Sequence, residues 1–293
     1  MTLWEQLLQF GVTGLTEGCV YALVALGFTI IYNATGIVNF AQGEFVMIGA
    51  MVAVTLASLG LPLIAVIVLS ALAAAVVAVL LERFAIRPLA GANVLLLIFV
   101  TIAASLLFRG AAQVIWGPNA TPLPPFTGEE PIRFWGAAMK PQDLWIIGVA
   151  IITVIAVQLF FRRTMTGKAM RAAASNRIAA RLAGINISHM SLIAFLISGA
   201  ISGLAGVVFA PNKFAQYSMG TPLAVKGFCG AILGGMGNSI GAVIGGIILG
   251  LAENIAAGLI SSQYKDAITL IILLLVLFIR PAGLLGKTEQ EGL

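Results

Sequence analysis

The chain is too poor in charge to cover a surface that faces water. Only 9% of its 293 residues are Asp, Glu, Lys or Arg, whereas 60% are hydrophobic. Soluble domains carry about 25% charged and about 45–50% apolar residues. An ordinary cytosolic enzyme, a nucleic-acid-binding module and a disordered scaffold are thereby excluded. The apolar runs lack the alternation of a transmembrane β-barrel. The composition predicts an all-α integral membrane protein. At about 20 residues per span, the length allows roughly eight to ten crossings.

Nine apolar segments can be drawn: 7–31, 37–58, 62–81, 93–115, 144–161, 189–210, 225–238, 240–259 and 263–279. The seventh is short and Gly-rich and reads as a broken or re-entrant helix, which makes a polytopic bundle of eight to nine transmembrane segments. A single transmembrane domain fills residues 1–293 and leaves no room for a soluble one. The opening MTLWEQLLQF holds Glu5 and no basic residue. The first segment is therefore read as a retained helix and not a cleaved signal peptide. Cys19 and Cys229 lie far apart in apolar segments and imply no disulfide framework. His189 is the only histidine, so neither a metal site nor a Ser–His hydrolase is expected.

Charge sets the orientation. The net charge is +5, yet residues 162–189 alone hold Arg162, Arg163, Lys168, Arg171, Arg177 and Arg181 with no acid. Short cytoplasmic loops collect Lys and Arg, so this loop is placed inside. The loop 116–142 carries Glu129, Glu130, Arg133 and Lys140, which cancel, and is placed outside. Arg280 and Lys287 put the C-terminus inside. With nine crossings the N-terminus is outside, and Trp4, Trp116, Trp135 and Trp145 all fall near the outer interface.

Within the basic loop, SNRIAARLAG reads as a short helix over 175–183. Ser175 can cap its first amides, and Gly184 stands where a helix stops. Ile178, Leu182 and Ile185 form an apolar face. Arg177 and Arg181, four apart, share a neighbouring one. Such a slim element is either a docking piece for a cytoplasmic partner or a surface loop that merely obeys the charge rule.

Carboxylates inside a membrane are costly and face a cavity or a partner. Glu17 lies well inside the first segment, Glu44 follows Asn39 and Gln42 in VNFAQGEFVMIGA, and Glu253 sits in GLAENIAAG. Each lines a polar pathway or belongs to a network that fixes helix packing. Arg109 is near the end of its segment and could snorkel. Glycines at four-residue spacing, Gly199 with Gly203 and Gly237 with Gly241 and Gly245, let helix backbones approach. In GGMGN, Gly234, Gly235 and Gly237 break the helix. Irregular backbone at membrane depth is tolerated only where it is buried in protein or lines a cavity.

ALGFTIIYNATGIVNFAQGEFVMIGA (25–50), TGKAMRAAASNRIAARLAGIN (166–186), GAILGGMGNSIGAVIGGIILGLAE (230–253) and RPAGLLG (280–286), in that order, resemble the permease subunits of branched-chain amino-acid ABC importers. The resemblance is closest to the H-type subunit. Gln42 stands where many members have His, and Ser175 and Asn176 stand where many carry acids. The resemblance implies a subunit of the bacterial inner membrane that does no chemistry itself. It implies an M-type permease, two P-loop ATPases holding ATP and Mg, and a periplasmic solute-binding protein as partners. Lipid surrounds the chain, and no nucleic acid or cofactor is expected on it. In this reading the helix at 175–183 couples to an ATPase through Ser175, Arg177, Ile178, Arg181 and Leu182. The substrate stays open among branched-chain amino acids, urea, short amides and aromatic acids. The chain itself has no Gly-x-x-x-x-Gly-Lys-Ser/Thr P-loop. A stand-alone ion-coupled transporter, which also uses broken helices and midplane carboxylates, is the competing class.

The topology is testable by labelling. Ser175→Cys should react only with membrane-permeant thiol reagents, and Thr127→Cys with impermeant ones. The reverse pattern in intact cells would invert the orientation.

Overall fold

The structure, a computed structural model, describes residues 2–286. Its centre is one helix, α1 (Leu3–Thr35), in which every residue from Thr16 to Ile31 is buried. A helix apolar all round belongs inside. Helices α10 (Ser239–Leu259), α8 (Ile187–Lys213), α9 (Gly220–Gly234), α5 (Pro141–Arg163) and α2 (Gln42–Ser58) pack around it. Outside these, α3 (Leu63–Leu81) lies on α2 and α8, α4 (Val94–Trp116) lies on α2, and α11 (Lys265–Ile279) lies on α9 and α10.

Close approach of backbones organises the bundle. In α1, Gly14 and Gly18 face Gly246, Ile247 and Gly250 of α10, so closely that a Cβ on Gly250 would overlap the backbone of Gly18. Gly199 and Gly203 of α8 press against Ala74, Ala75 and Ala78 of α3 in the same way. In a membrane, where lipid is as apolar as leucine, such contact and its dispersion energy replace the hydrophobic drive between helices. The break at GGMGN is a tight corner between α9 and α10. Gly235 and Gly237 there have φ of 106° and 96°, values that L side chains rarely adopt. Gly234 and Gly241 touch across the corner, and Gly245 touches Gly230 and Gly234.

All nine expected segments are helices, with shifted bounds. Seven helices are long and apolar enough to cross a membrane among the described residues. Helices α2 and α9 have 17 and 15 residues, about 26 and 22 Å at 1.5 Å per residue against a core of about 30 Å. The second segment was expected to begin at Ile37. Instead residues 36–41 are non-helical and α2 starts at Gln42. Residues 214–219 likewise lead unwound into α9, and Phe214 has a left-handed φ of 57°. Both short helices therefore begin inside the bundle.

The ends sort by their partners. Gln9 of α1 exchanges two hydrogen bonds with Ala138 of the hairpin β1 (Ile132–Phe134) and β2 (Ala137–Met139). Trp116 donates to Thr55, and Trp145 to Thr127. At the other end, α6 (Met165–Ser175) and α7 (Arg177–Leu182) pack on each other, and α6 also lies on α1 and α8. The tail RPAGLLG reaches back to the glycine corner. Leu284 and Leu285 donate to the carbonyls of Leu233 and Gly234, and Asn238 donates to Leu285. Lys287 lies outside the described residues.

If α1 is held by backbone contact with α10, a side chain at Gly250 is intolerable. Gly250→Ala should destabilise the detergent-solubilised protein by about 1–3 kcal/mol, the usual cost of overpacking. Gly148→Ala, where a Cβ meets nothing within 4 Å, should be neutral or stabilising. Thermal unfolding followed by size-exclusion recovery checks both.

Candidate functional site

The two short helices meet end to side at Glu44. This residue is in the first turn of α2, and the first residue of α9, Gly220, lies against Gly43 and the Glu44 carboxylate. Helix N-termini carry partial positive charge, so two of them stabilise one buried carboxylate. Oε1 of Glu44 accepts hydrogen bonds from Ser105 Oγ at 2.8 Å and Thr221 Oγ1 at 3.1 Å. Oε2 has no partner, although the residue is 1% exposed.

Beside it lies a cavity of about 170 Å³, walled by Phe40, Ile102, Leu106 and Phe228 and by the polar groups Ser105, Thr221 and Arg109. Arg109 does not snorkel freely, because its Nε is buried without an acceptor. Arg109 lines this space, and Glu44 lies behind its Ser105 and Thr221 wall with one carboxylate oxygen unsatisfied. That set complements an ammonium, a carboxylate and an apolar side chain. Arg109 and Ser105 are four apart on α4 and so share a face, a spacing by which Arg109 could have been grouped with Glu44's shell.

Asn39 and Gln42 do other things. Gln42 is a cross-link: Nε2 donates to Ser202 at 2.7 Å and Oε1 accepts from Ser198 at 3.0 Å, tying α2 to α8. Asn39 Oδ1 accepts from Ala41 N at 3.1 Å in the unwound approach to α2, while its Nδ2 is buried without a partner.

Glu17 and Glu253 belong to a separate ion network. Lys213 Nζ is 3.0 Å from Glu17, and Lys265 Nζ bonds Glu17 at 2.5 Å. Tyr21 and Asn254 also donate to Glu17. Lys226 bonds Glu253 at 2.5 Å and Asp266 at 3.1 Å. Three acids and three lysines join α1, α8, α9, α10 and α11. In the sequence Lys226 falls at the edge of the seventh segment, where a lysine needs no partner. The helix in fact begins earlier, at Gly220, which carries Lys226 inside.

In the basic loop, Ser175 ends α6 and does not cap the next helix. Asn176 does, accepting from Ile178 N and Ala179 N, because the backbone breaks at residue 176. Gly184 has the left-handed φ of 83° expected of a stop. Ile178 and Leu182 are bare, 75% and 86% exposed. Arg177 points inward and donates to Ala34 O at the end of α1 at 2.7 Å, while Arg181 stands beside it on the next turn.

Comparison with known proteins agrees with this architecture. The family described as branched-chain amino acid transport system, permease component, matches residues 11–277. The high-affinity branched-chain amino acid transport system permease protein BraD of Pseudomonas aeruginosa is 34% identical over 97% of both chains. The corresponding protein LivH of Escherichia coli K12 is 32% identical over 97% of both chains. The ribose import permease protein RbsC of the same organism is 26% identical over 90% of this chain and 83% of its own.

Removing one member of a buried ion pair strands the other, at a typical cost of 3–5 kcal/mol. Lys226→Met should therefore destabilise the protein by about 3 kcal/mol. Lys226→Met with Glu253→Gln should recover most of that loss. A double-mutant cycle on thermal stability measures it, and simple additivity would deny the pairing.

Proposed function

The chain belongs to the family of permease components of branched-chain amino acid transport systems, and from that membership we propose that it is the H-type membrane subunit of an ATP-binding-cassette importer for branched-chain amino acids. The observation that carries this reading is the family match across residues 11–277. It is a multi-pass membrane protein, and the bacterial inner membrane is the proposed location. The proposed partners are an M-type permease, two ATPases that bind ATP and Mg, and a periplasmic binding protein. The chain itself would hold no cofactor and catalyse no reaction.

Two features support the division of labour. The Glu44–Arg109 cavity offers opposite charges and an apolar wall to a zwitterion with a branched side chain. It would be a station on the pathway, shared with the unwound starts of α2 and α9, which can shift without breaking a helix. Helix α7 offers Ile178 and Leu182 as bare anchors to an ATPase groove, and buried apolar anchors carry much of the energy of an interface. Arg177, held to the end of α1, would transmit the movement of α7 to the chain that leads into Glu44.

The test is reconstitution of the four-subunit assembly with loaded binding protein. Glu44→Ala should lower uptake at least tenfold while the complex still assembles. Leu182→Asp should uncouple ATP hydrolysis from uptake or release the ATPases, since an anchor lost at an interface often costs 2 kcal/mol or more. Wild-type uptake and stimulated hydrolysis in Leu182→Asp would refute the docking role. Uptake driven by an ion gradient without ATP would refute the importer class.

A further inference from the structure

A second and larger cavity, about 500 Å³, lies at the opposite end of the bundle from the tryptophans. It opens where the end of α1, the turn after α3, α7 and the start of α8 converge. The Glu44–Arg109 pathway does not use it.

Its polar lining is specific. Glu82 is 1% exposed, in the π-turn that ends α3, and its Oε2 has no hydrogen-bond partner. An unsatisfied buried carboxylate oxygen demands a donor. Arg87, Arg177 and Arg181 also face the space, and none forms an ion pair with an acid among the described residues. Partial burial, and then the neighbouring Arg181, push the Arg177 pKa down from its ordinary value. That arginine pair is relieved by an anion. The lining also has an apolar part, with Ile37, Ile86 and Leu97, all buried.

An orphan acceptor, three cations and an apolar wall together describe one ligand class. We propose that this cavity is a second α-amino-acid site, on the cytoplasmic face, through which imported product slows further import. The ammonium group would donate to Glu82, the carboxylate would bridge Arg177 and Arg181, and the side chain would lie on Ile37 and Leu97. A plain anion leaves the Glu82 oxygen unmet, and a plain cation leaves the arginines unmet. The site spans α3 on one side and α7 on the other, so its ligand ties the docking helix to the bundle. This inference rests on the importer reading, since the ligand is the product of that transport.

The assembled transporter in proteoliposomes, with L-leucine preloaded on the ATPase side, tests it. Internal L-leucine should slow uptake in a saturable manner. N-acetyl-L-leucine lacks the ammonium and L-leucinamide lacks the carboxylate, and neither should act. Glu82→Gln should raise the half-inhibitory concentration about tenfold, the loss expected when one charge-assisted hydrogen bond goes. Ala92→Trp, which fills the mouth of the cavity, should do the same without touching the charges. Wild-type uptake indifferent to internal leucine would overturn the proposal while leaving the importer reading intact. Inhibition by inorganic phosphate alone, or by N-acetyl-L-leucine as strongly as by leucine, would make the cavity an anion site and also overturn it. If Glu82→Gln and Ala92→Trp both cut basal import as much as they relieve inhibition, the cavity is an exit route and has no regulatory role. An assembly that imports no amino acid at all defeats both readings together.

Discussion

A carboxylate carried into hydrocarbon must find a cation or a set of donors, because water is not there to solvate it. This chain meets that demand in two ways, and the difference separates frame from pathway. Glu17 and Glu253 are surrounded by Lys213, Lys226 and Lys265, and the network they form locks five helices at one level. Among the described residues Glu44 has no cation bonded to it, only two hydroxyls and two helix N-termini; like Glu253 it keeps one oxygen without a partner, but Glu253 is ion-paired with Lys226. A paired charge has little to offer a passing solute. An unpaired one does, and its cost is moderated by the positive ends of α2 and α9.

That arrangement depends on where helices stop. Had α2 and α9 run the full membrane depth, no N-terminus would lie near Glu44. The glycine contacts let α10 pack directly on α1 and turn tightly into α9, which leaves the two short helices buried enough to start in the interior. Irregular backbone at such depth survives because protein encloses it.

The all-α class and the nine apolar segments follow from the sequence, since apolar runs of this length have few alternatives in a bilayer. The glycine corner at GGMGN was equally legible, as positive φ selects glycine. The unwound stretch 36–41 was not. Ile37, Val38 and Phe40 are as apolar as the helix beside them, so hydropathy draws straight through 37–41. Residues 214–219 fall in the gap between the sixth and seventh segments, and there only the early start of α9 at Gly220 was hidden. The lysine partners were missed because pairing is tertiary: Lys265 reaches Glu17 across 248 residues of sequence. Ser175 and Asn176 both suit an N-cap, and only the break in the backbone chooses between them. Arg109 shows the same limit in reverse, since a position near a helix end suggests snorkelling although its Nε is buried.

The strap formed by the tail has a consequence for biosynthesis. Asn238 and Leu285, which bond at the glycine corner, are 47 residues apart. At elongation rates of about 5–20 residues per second, the corner waits roughly 2–9 s between emerging and being closed. During that interval α9 and α10 are already made, yet the carbonyls of Leu233 and Gly234 lack their final donors. Closing the corner thus waits for residues 284 and 285. A nascent chain stalled before residue 284 would hold α9 and α10 with that corner still unsealed.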